Sequence, residues 1–345
     1  MKKILKLLFI VLLLAGAWSA WSVFGPVVKT PASKYFYIKT SSDYSQVIHE
    51  LKNQQILGNT FYFDMIAGVL KYPKNVKPGR YEIRKGTNVL SLVRMFKSGN
   101  QSPVKLVINK LRTKEDLASK LGRNFEFDSS EVMKFILSND SLKIYGCDTN
   151  TVMTNIIPNT YELKWNGNFK RIFVRLADER KKFWNEERIK KAAEKKLTPQ
   201  QVYTLASIVE EESNNGEDRK LIASVYINRV NKNMRLQADP TVKYAMRDFG
   251  LKRILFGHLK YQSPYNTYQV YGLPPGPICT PSPVAIDAVL NAPNTKYIFF
   301  VAKPYSNGTH NFSETYAEHQ KFAKIYQQAL DSLTSTSHYI IRNNK

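Results

Sequence analysis

The sequence predicts an α+β protein: a membrane-crossing helix, a small α+β module, and a mainly helical region with a short sheet. Three observations carry this. An 18-residue apolar run, Leu7–Phe24, follows Lys2, Lys3 and Lys6. Strand-like and helix-like segments alternate over residues 35–110. From Thr198 onward, apolar residues recur at helical spacing around a proline-dense loop.

The first element is a targeting or anchoring helix. Eighteen residues is near the lower limit for crossing a bilayer. Trp18 and Trp21 sit where interfacial aromatics are common, and the lysines orient the N-terminus to the cytoplasm. Two readings stay open. The helix is retained as an anchor over residues 1–28, the reading favoured here, or Ala15-Gly16-Ala17 marks the cleavage site of a signal peptide. Either places the body outside the cytoplasm. The net charge of +23 is spread along the chain rather than gathered on one helix. That pattern suits attraction to anionic headgroups or wall polymers rather than a nucleic-acid reader, and no nucleic acid is expected as a partner.

The module at 35–110 reads in order as follows. Lys34–Thr40 is a strand, Ser42–Leu57 and Asn59–Tyr72 are helices, and Val76–Arg84 is a turn then a strand. Thr87–Lys97 is a helix that Gly99 closes in a left-handed cap, and Val104–Ile108 is a strand. Residues 111–197 read as a helical connecting region with a turn at Ile157–Tyr161 and an exposed charged helix or hinge at Lys181–Lys196. Residues 334–345 read as a polar, loose tail. Cys147 and Cys279 either pair or stay as buried thiols.

The region 198–333 carries the chemistry. Thr198 suits an N-cap, Pro199 the first helical position, and Gln201 the reciprocal position of a capping box. Val202, Leu205, Ala206 and Val209 define an apolar stripe, and of Glu210, Glu211 and Glu212 the last lies nearest to it. A carboxyl brought to an apolar face loses hydration, so its neutral form is favoured and its pKa rises. Such a group can act as a general acid near neutral pH. A second helix spans 217–230. Asp239, before Pro240, suits a helix cap there or a second acid. Ser263–Tyr268 and Gly272-Leu-Pro-Pro-Gly-Pro-Ile278 form a rigid loop whose tyrosines and amides suit a sugar chain. Tyr297–Ala302 reads as a buried strand, and Ser313 as the cap of a last amphipathic helix. Glu212 is the candidate catalytic residue. Glu210, Gln237, Asp239, Asn266 and Tyr268 are candidates for holding substrate, each with a structural role as the alternative.

These segments resemble the YceG-like endolytic murein transglycosylases, the MltG family. The matching pieces are Leu205–Ser213, Ala223–Arg229, Arg235–Val242, Tyr265–Tyr268, Gly272–Gly276 and His310–Phe312, in family order. Asn159 stands where the family often shows Asp, and Asn311 where Thr or Val is expected. The resemblance implies a LysM-like module at 35–110 and a catalytic domain at 198–333. It implies peptidoglycan glycan strands as substrate, the membrane and cell-wall synthases (penicillin-binding proteins) as partners, and no cofactor. Placement is implied in the inner (cytoplasmic) membrane as a single-pass protein with its catalytic part periplasmic. The implied reaction is lytic cleavage of the MurNAc–GlcNAc bond to a 1,6-anhydro end, with Glu212 as acid and then base.

Two rivals stay open: a lysozyme-like hydrolase pairing Glu212 with Asp239, and a non-catalytic wall-binding scaffold. The histidines His49, His258, His310, His319 and His338 never fall at metal-ligand spacing with Cys or acids, and no glycine-rich phosphate loop occurs.

Overall fold

The structure, a computed structural model, describes residues 2–306 and 308–343, with side chains through Ser332. Met1, the side chain of His338 and the last two residues of the predicted tail lie outside the described residues. Among the described residues the secondary structure is helices and three two-stranded sheets, a mixed architecture as the sequence predicts.

Helix α1 (Lys2–Phe24) is 23 residues long with mean hydropathy 2.2 and none of it buried, so it is long and apolar enough to cross a membrane. Next come β1 (Tyr35–Ile38), α2 (Tyr44–Asn53), α3 (Phe61–Val69), β2 (Gly79–Glu82) and α4 (Val89–Ser98). Strands β1 and β2 pair antiparallel with Phe36 opposite Tyr81. The core beneath them is aromatic: Phe36, Phe63, Tyr72, Tyr81 and Phe96 are fully buried. Asp43 caps α2 with a complete capping box. Gly99 ends α4 at φ 69°, the left-handed conformation that glycine adopts without strain.

β3 (Val104–Ile108) pairs with β4 (Asn159–Leu163). The turn expected at Ile157–Tyr161 is therefore the entry to a strand. α5 (Lys114–Asn124), α6 (Ser129–Ile136) and α7 (Asn139–Lys143) lie between these strands in sequence, and α8 (Phe169–Phe183) and α9 (Glu186–Glu194) follow them. The charged stretch from Lys181 is not one helix, because Asn185 caps α9 and breaks it. Two compact units result: Met1–Leu106 with Gly122–Asp128 and Tyr161–Phe169, and Val107–Leu121 with Ser129–Thr160 and Lys170–Lys345. The stretch 111–197 contributes to both.

The second unit is built on α10 (Pro199–Glu212), α11 (Gly216–Asn231) and α13 (Pro283–Leu290), with α12 (Asp239–Met246) between the last two in sequence. Helix α10 is buried from Val202 to Val209 without a break, including Thr204 and Ser207. The apolar stripe read from sequence is thus one part of a helix enclosed on all sides. Ser207 and Thr204 fit because Ser207 Oγ donates to Thr204 O at 2.6 Å. β5 (Phe299–Ala302) and β6 (His310–Ser313) form an antiparallel hairpin with Phe300 opposite Phe312. Strand β5 is half-exposed rather than buried. α14 (Tyr316–Asn343) follows and runs into the stretch expected as a loose tail. Its cap is Thr315, whose Oγ1 accepts from Glu318 N at 3.3 Å, and not Ser313, which lies in β6. Cys147 and Cys279 are both free thiols.

Candidate functional site

The three acids at the end of α10 meet three different fates. Glu210 is tied into the scaffold: its Oε2 accepts from Ser282 Oγ at 2.7 Å and its Oε1 pairs with Arg219 at 3.3 Å. Ser282 is the N-cap of α13, so Glu210 joins α10, α11 and α13. Both of its oxygens are occupied by protein partners. Glu211 pairs with Lys110 at 2.7 Å and Arg112 at 3.4 Å. The segment carrying those cations is held by Thr280, which donates from Oγ1 to Asn109 O and from N to Leu111 O.

Glu212 makes no ion pair among the described residues. It is half-buried at the last position of α10. Its Oε1 accepts from the Tyr226 hydroxyl at 2.7 Å. Burial pushes the carboxyl up from its ordinary value near 4.5 to about 7. The Tyr226 hydrogen bond and Lys243 pull the other way, while the negative charges of Asp239 and Glu211 add to the rise. Desolvation wins because the helix end offers the ionised form one neutral donor and no cation in contact. Tyr226 is 1% exposed and packs edge-on against Phe300 at 5.7 Å between ring centroids. Sequence reasoning gave it no role, since a tyrosine at helical spacing reads as core. A hydroxyl buried in that core needs a partner, and that requirement was the signal.

Around Glu212 the chain 235–239 runs as an alternating ribbon. Leu236 and Ala238 are fully buried, while Arg235, Gln237 and Asp239 are exposed. The ribbon is zipped to the loop 266–268: Gln237 N donates to Thr267 O at 3.1 Å and Ala238 N to Thr267 Oγ1 at 3.0 Å. Gln237 sits at φ 52°, in the left-handed region uncommon for a side-chain-bearing residue. Buried Arg229 supports that bend, donating to Leu236 O at 2.7 Å and Ile298 O at 2.7 Å. Asp239 does not cap α12. The N-cap is Ala238, without a side-chain bond, and the Asp239 carboxylate instead accepts from the Tyr268 hydroxyl at 2.6 Å.

Asn266 lies beneath the surface. Its side chain is wholly buried, donating to Leu259 O at 3.0 Å and Tyr261 O at 2.7 Å and accepting from Tyr268 N at 3.0 Å. Every partner is backbone, so the side chain shapes the loop. The structure thus brings the hydrogen-bonded pairs Glu212–Tyr226 and Asp239–Tyr268 within electrostatic reach of each other, with Gln237 two residues from Asp239, while the side chains of Glu210 and Asn266 are taken up by protein partners. The proline-dense loop docks from behind: Ile278 N donates to Ser207 Oγ at 3.0 Å, and Gly276 lies so close to the Asn150 backbone that no side chain fits. A cavity of about 50 Å³ lies beside Glu211, lined by Pro240, Lys243 and Tyr244 among others. A larger groove of about 810 Å³ lies in the first unit over β1 and α2 and contains none of the predicted site residues.

A family model described as the YceG-like family matches residues 36–325. A Bacillus subtilis (strain 168) protein named an endolytic murein transglycosylase is 43% identical over 131 residues, covering 38% of this chain and 36% of that one. A Streptococcus pneumoniae (serotype 2, strain D39) protein of the same name is 37% identical over 135 residues, covering 36% of this chain and 24% of that one. The matched stretch thus spans about a third or less of the curated relatives' length. The crystal structure of a yceG-like protein from Listeria monocytogenes superimposes with a TM-score of 0.56 at 27% identity, covering 84% of this chain and 99% of that one.

Proposed function

The chain belongs to the YceG-like family, and from that premise we propose that it is an endolytic peptidoglycan lytic transglycosylase with Glu212 as its one acid–base group. The observation that carries this reading is the desolvated Glu212 carboxyl, raised to about 7 and held by Tyr226. Protonated Glu212 gives its proton to the oxygen joining MurNAc C1 to GlcNAc, and the C1–O bond breaks through an oxocarbenium-like state. The ionised Glu212 then takes the proton of the MurNAc C6 hydroxyl as that oxygen bonds to C1. The products are a GlcNAc hydroxyl end and a 1,6-anhydroMurNAc end, and the enzyme returns to its starting protonation. An internal nucleophile is already in place, so no second carboxylate has to activate water.

The hydrolytic alternative requires Asp239 as partner. Its carboxylate is engaged by the Tyr268 hydroxyl at 2.6 Å, which suits positioning of the loop and of a sugar hydroxyl. Gln237 and Tyr268 complete a polar rim. In this reading α1 is a retained single-pass anchor in the cytoplasmic membrane, the second unit acts outside it on glycan strands, and cell-wall synthases supply those strands. The β1–β2 module, two helices between paired strands, serves as a LysM-like unit.

The test is digestion of purified glycan strands by the full chain in detergent, read by mass spectrometry, with Glu212→Gln alongside. Anhydro ends from the parent and none from the variant are expected. Reducing ends would favour hydrolysis, and equal wall function in the variant would favour the scaffold.

A further inference from the structure

We propose that Arg235 and Tyr271 form a carboxylate-reading subsite beside the reacting centre, one that recognises the acidic group carried by the muramyl sugar. This rests on the reading of Glu212 as a peptidoglycan-cleaving acid. The Arg235 guanidinium lies over the Tyr271 ring, 4.8 Å from its centroid. Both side chains are exposed, Tyr271 at 59%, and Arg235 makes no ion pair among the described residues. The pair is built from the same two strips of chain that frame Glu212. Arg235 precedes Asp239 by four residues on the alternating ribbon, and Tyr271 follows Tyr268 by three, while Asp239 and Tyr268 are hydrogen-bonded to each other. Asp239 is close enough to Glu212 to raise its pKa. Four residues reach at most about 14 Å, a span that a short run of sugar rings bridges.

The chemistry of the pair is specific. A guanidinium resting over a ring face still has N–H donors to offer a carboxylate. A tyrosine face accepts the apolar side of a pyranose. A glycan strand of alternating GlcNAc and MurNAc offers both features. Each MurNAc carries a lactyl ether that ends in a carboxylate, or in a peptide with carboxylates of its own. Arginine suits this better than lysine, because its fork is planar and stacks. The fixed ribbon explains the exposure: Leu236 and Ala238 are anchored in the core, which leaves Arg235, Gln237 and Asp239 exposed.

The experiment uses the full chain in detergent. Binding is measured by calorimetry on the Glu212→Gln background, with and without Arg235→Gln. Three ligands are used: peptide-bearing glycan strands, strands stripped of peptide so that the lactyl carboxylate is free, and neutral GlcNAc oligomers. Arg235→Gln is expected to weaken binding of acidic strands five- to tenfold and to leave neutral oligomers unchanged. Arg235→Lys recovers part of the loss, and Tyr271→Ala weakens binding of all three ligands. Loss confined to peptide-bearing strands assigns the peptide carboxylates as the group read, and loss on stripped strands assigns the lactyl carboxylate. Equal effects on acidic and neutral ligands, or none on any, overturn the inference. In the otherwise native enzyme the effect falls on KM rather than kcat. A parent that fails to cleave any strand rejects the proposed reaction, yet the binding comparison still decides the subsite.

Discussion

The Tyr226 hydroxyl donates to Glu212 Oε1 at 2.7 Å, across the turn that joins α10 to α11. The bond favours the ionised carboxylate, yet burial outweighs it and holds the acid near 7. The two effects give the group a dual capacity. About half of the population still holds the proton at pH 7, and the carboxylate is stabilised once the proton has left.

The first consequence is a pH profile. The acid form is filled below about 7 and empties above it, so kcat/KM on glycan strands falls as pH rises through that value. Asp239 raises the pKa and Lys243 lowers it. Asp239→Asn moves the alkaline limb to lower pH, and Lys243→Gln moves it to higher pH. Rates on a soluble strand substrate from pH 5 to 9 check this, and opposite shifts would reject the electrostatic assignment.

Tyr226→Phe removes the one direct donor to Glu212 among the described residues. A hydrogen bond to a charged group contributes about 1.5–3 kcal/mol, which corresponds to about one to two pKa units. The alkaline limb moves up by about one unit or more. The rate in the acidic plateau falls as well, because the carboxylate left after proton donation has lost its partner. A limb that stays in place would show that Tyr226 only packs.

Much of this architecture is legible in the sequence. Thr198, Pro199 and Gln201 announce the start of α10, and the observed capping box uses those residues. Gly99 announces the end of α4. Local chemistry within four residues decides such features, so a string of residues carries them. Asp239 and Ser313 fail as caps because tertiary partners claim the positions: Tyr268 takes the Asp239 carboxylate, and pairing with β5 draws Ser313 into β6. Asn266 misleads for the same reason, since an amide in an aromatic loop reads as a sugar contact until its buried backbone partners, Leu259 and Tyr261, are seen. The phase of α10 singles out Glu212 from its neighbours. What sequence does not carry is how the other two acids are paired, because Arg219, Ser282, Lys110 and Arg112 lie outside α10.

Glu210 is expected to matter for stability rather than chemistry. Its side chain and that of Arg219 are 14% and 9% exposed, so truncating one strands the other in a dry place. Glu210→Ala lowers unfolding stability by about 3 kcal/mol, in the range for a broken buried pair, and also takes the acceptor from the α13 cap Ser282. Denaturant unfolding measures the loss. The folded fraction keeps its alkaline limb near 7, which separates Glu210 from Glu212; a large shift of that limb would place Glu210 in the chemistry after all.

Glu212 itself should cost the fold stability as pH rises. Its folded pKa of about 7 lies above the ordinary value near 4.5, so the folded state binds the proton more tightly than the unfolded chain does. Below about 4.5 both states are protonated and the favourable contribution is fully present. Between 4.5 and 7 the unfolded state releases its proton first and stability declines, and above 7 the contribution is gone. Glutamine copies the shape of the protonated acid and cannot ionise. Glu212→Gln therefore matches the parent at pH 4.5 and exceeds it progressively up to about pH 7.5. The full shift would give a gain of about 3 kcal/mol, and the partial exposure of Glu212 trims it toward about 1–2 kcal/mol. Denaturant curves of the two proteins at pH 4.5, 6 and 7.5 decide the matter. A variant less stable than the parent at pH 7.5 would mean that the ionised carboxylate is welcome in its pocket, and that the general acid has to be sought elsewhere.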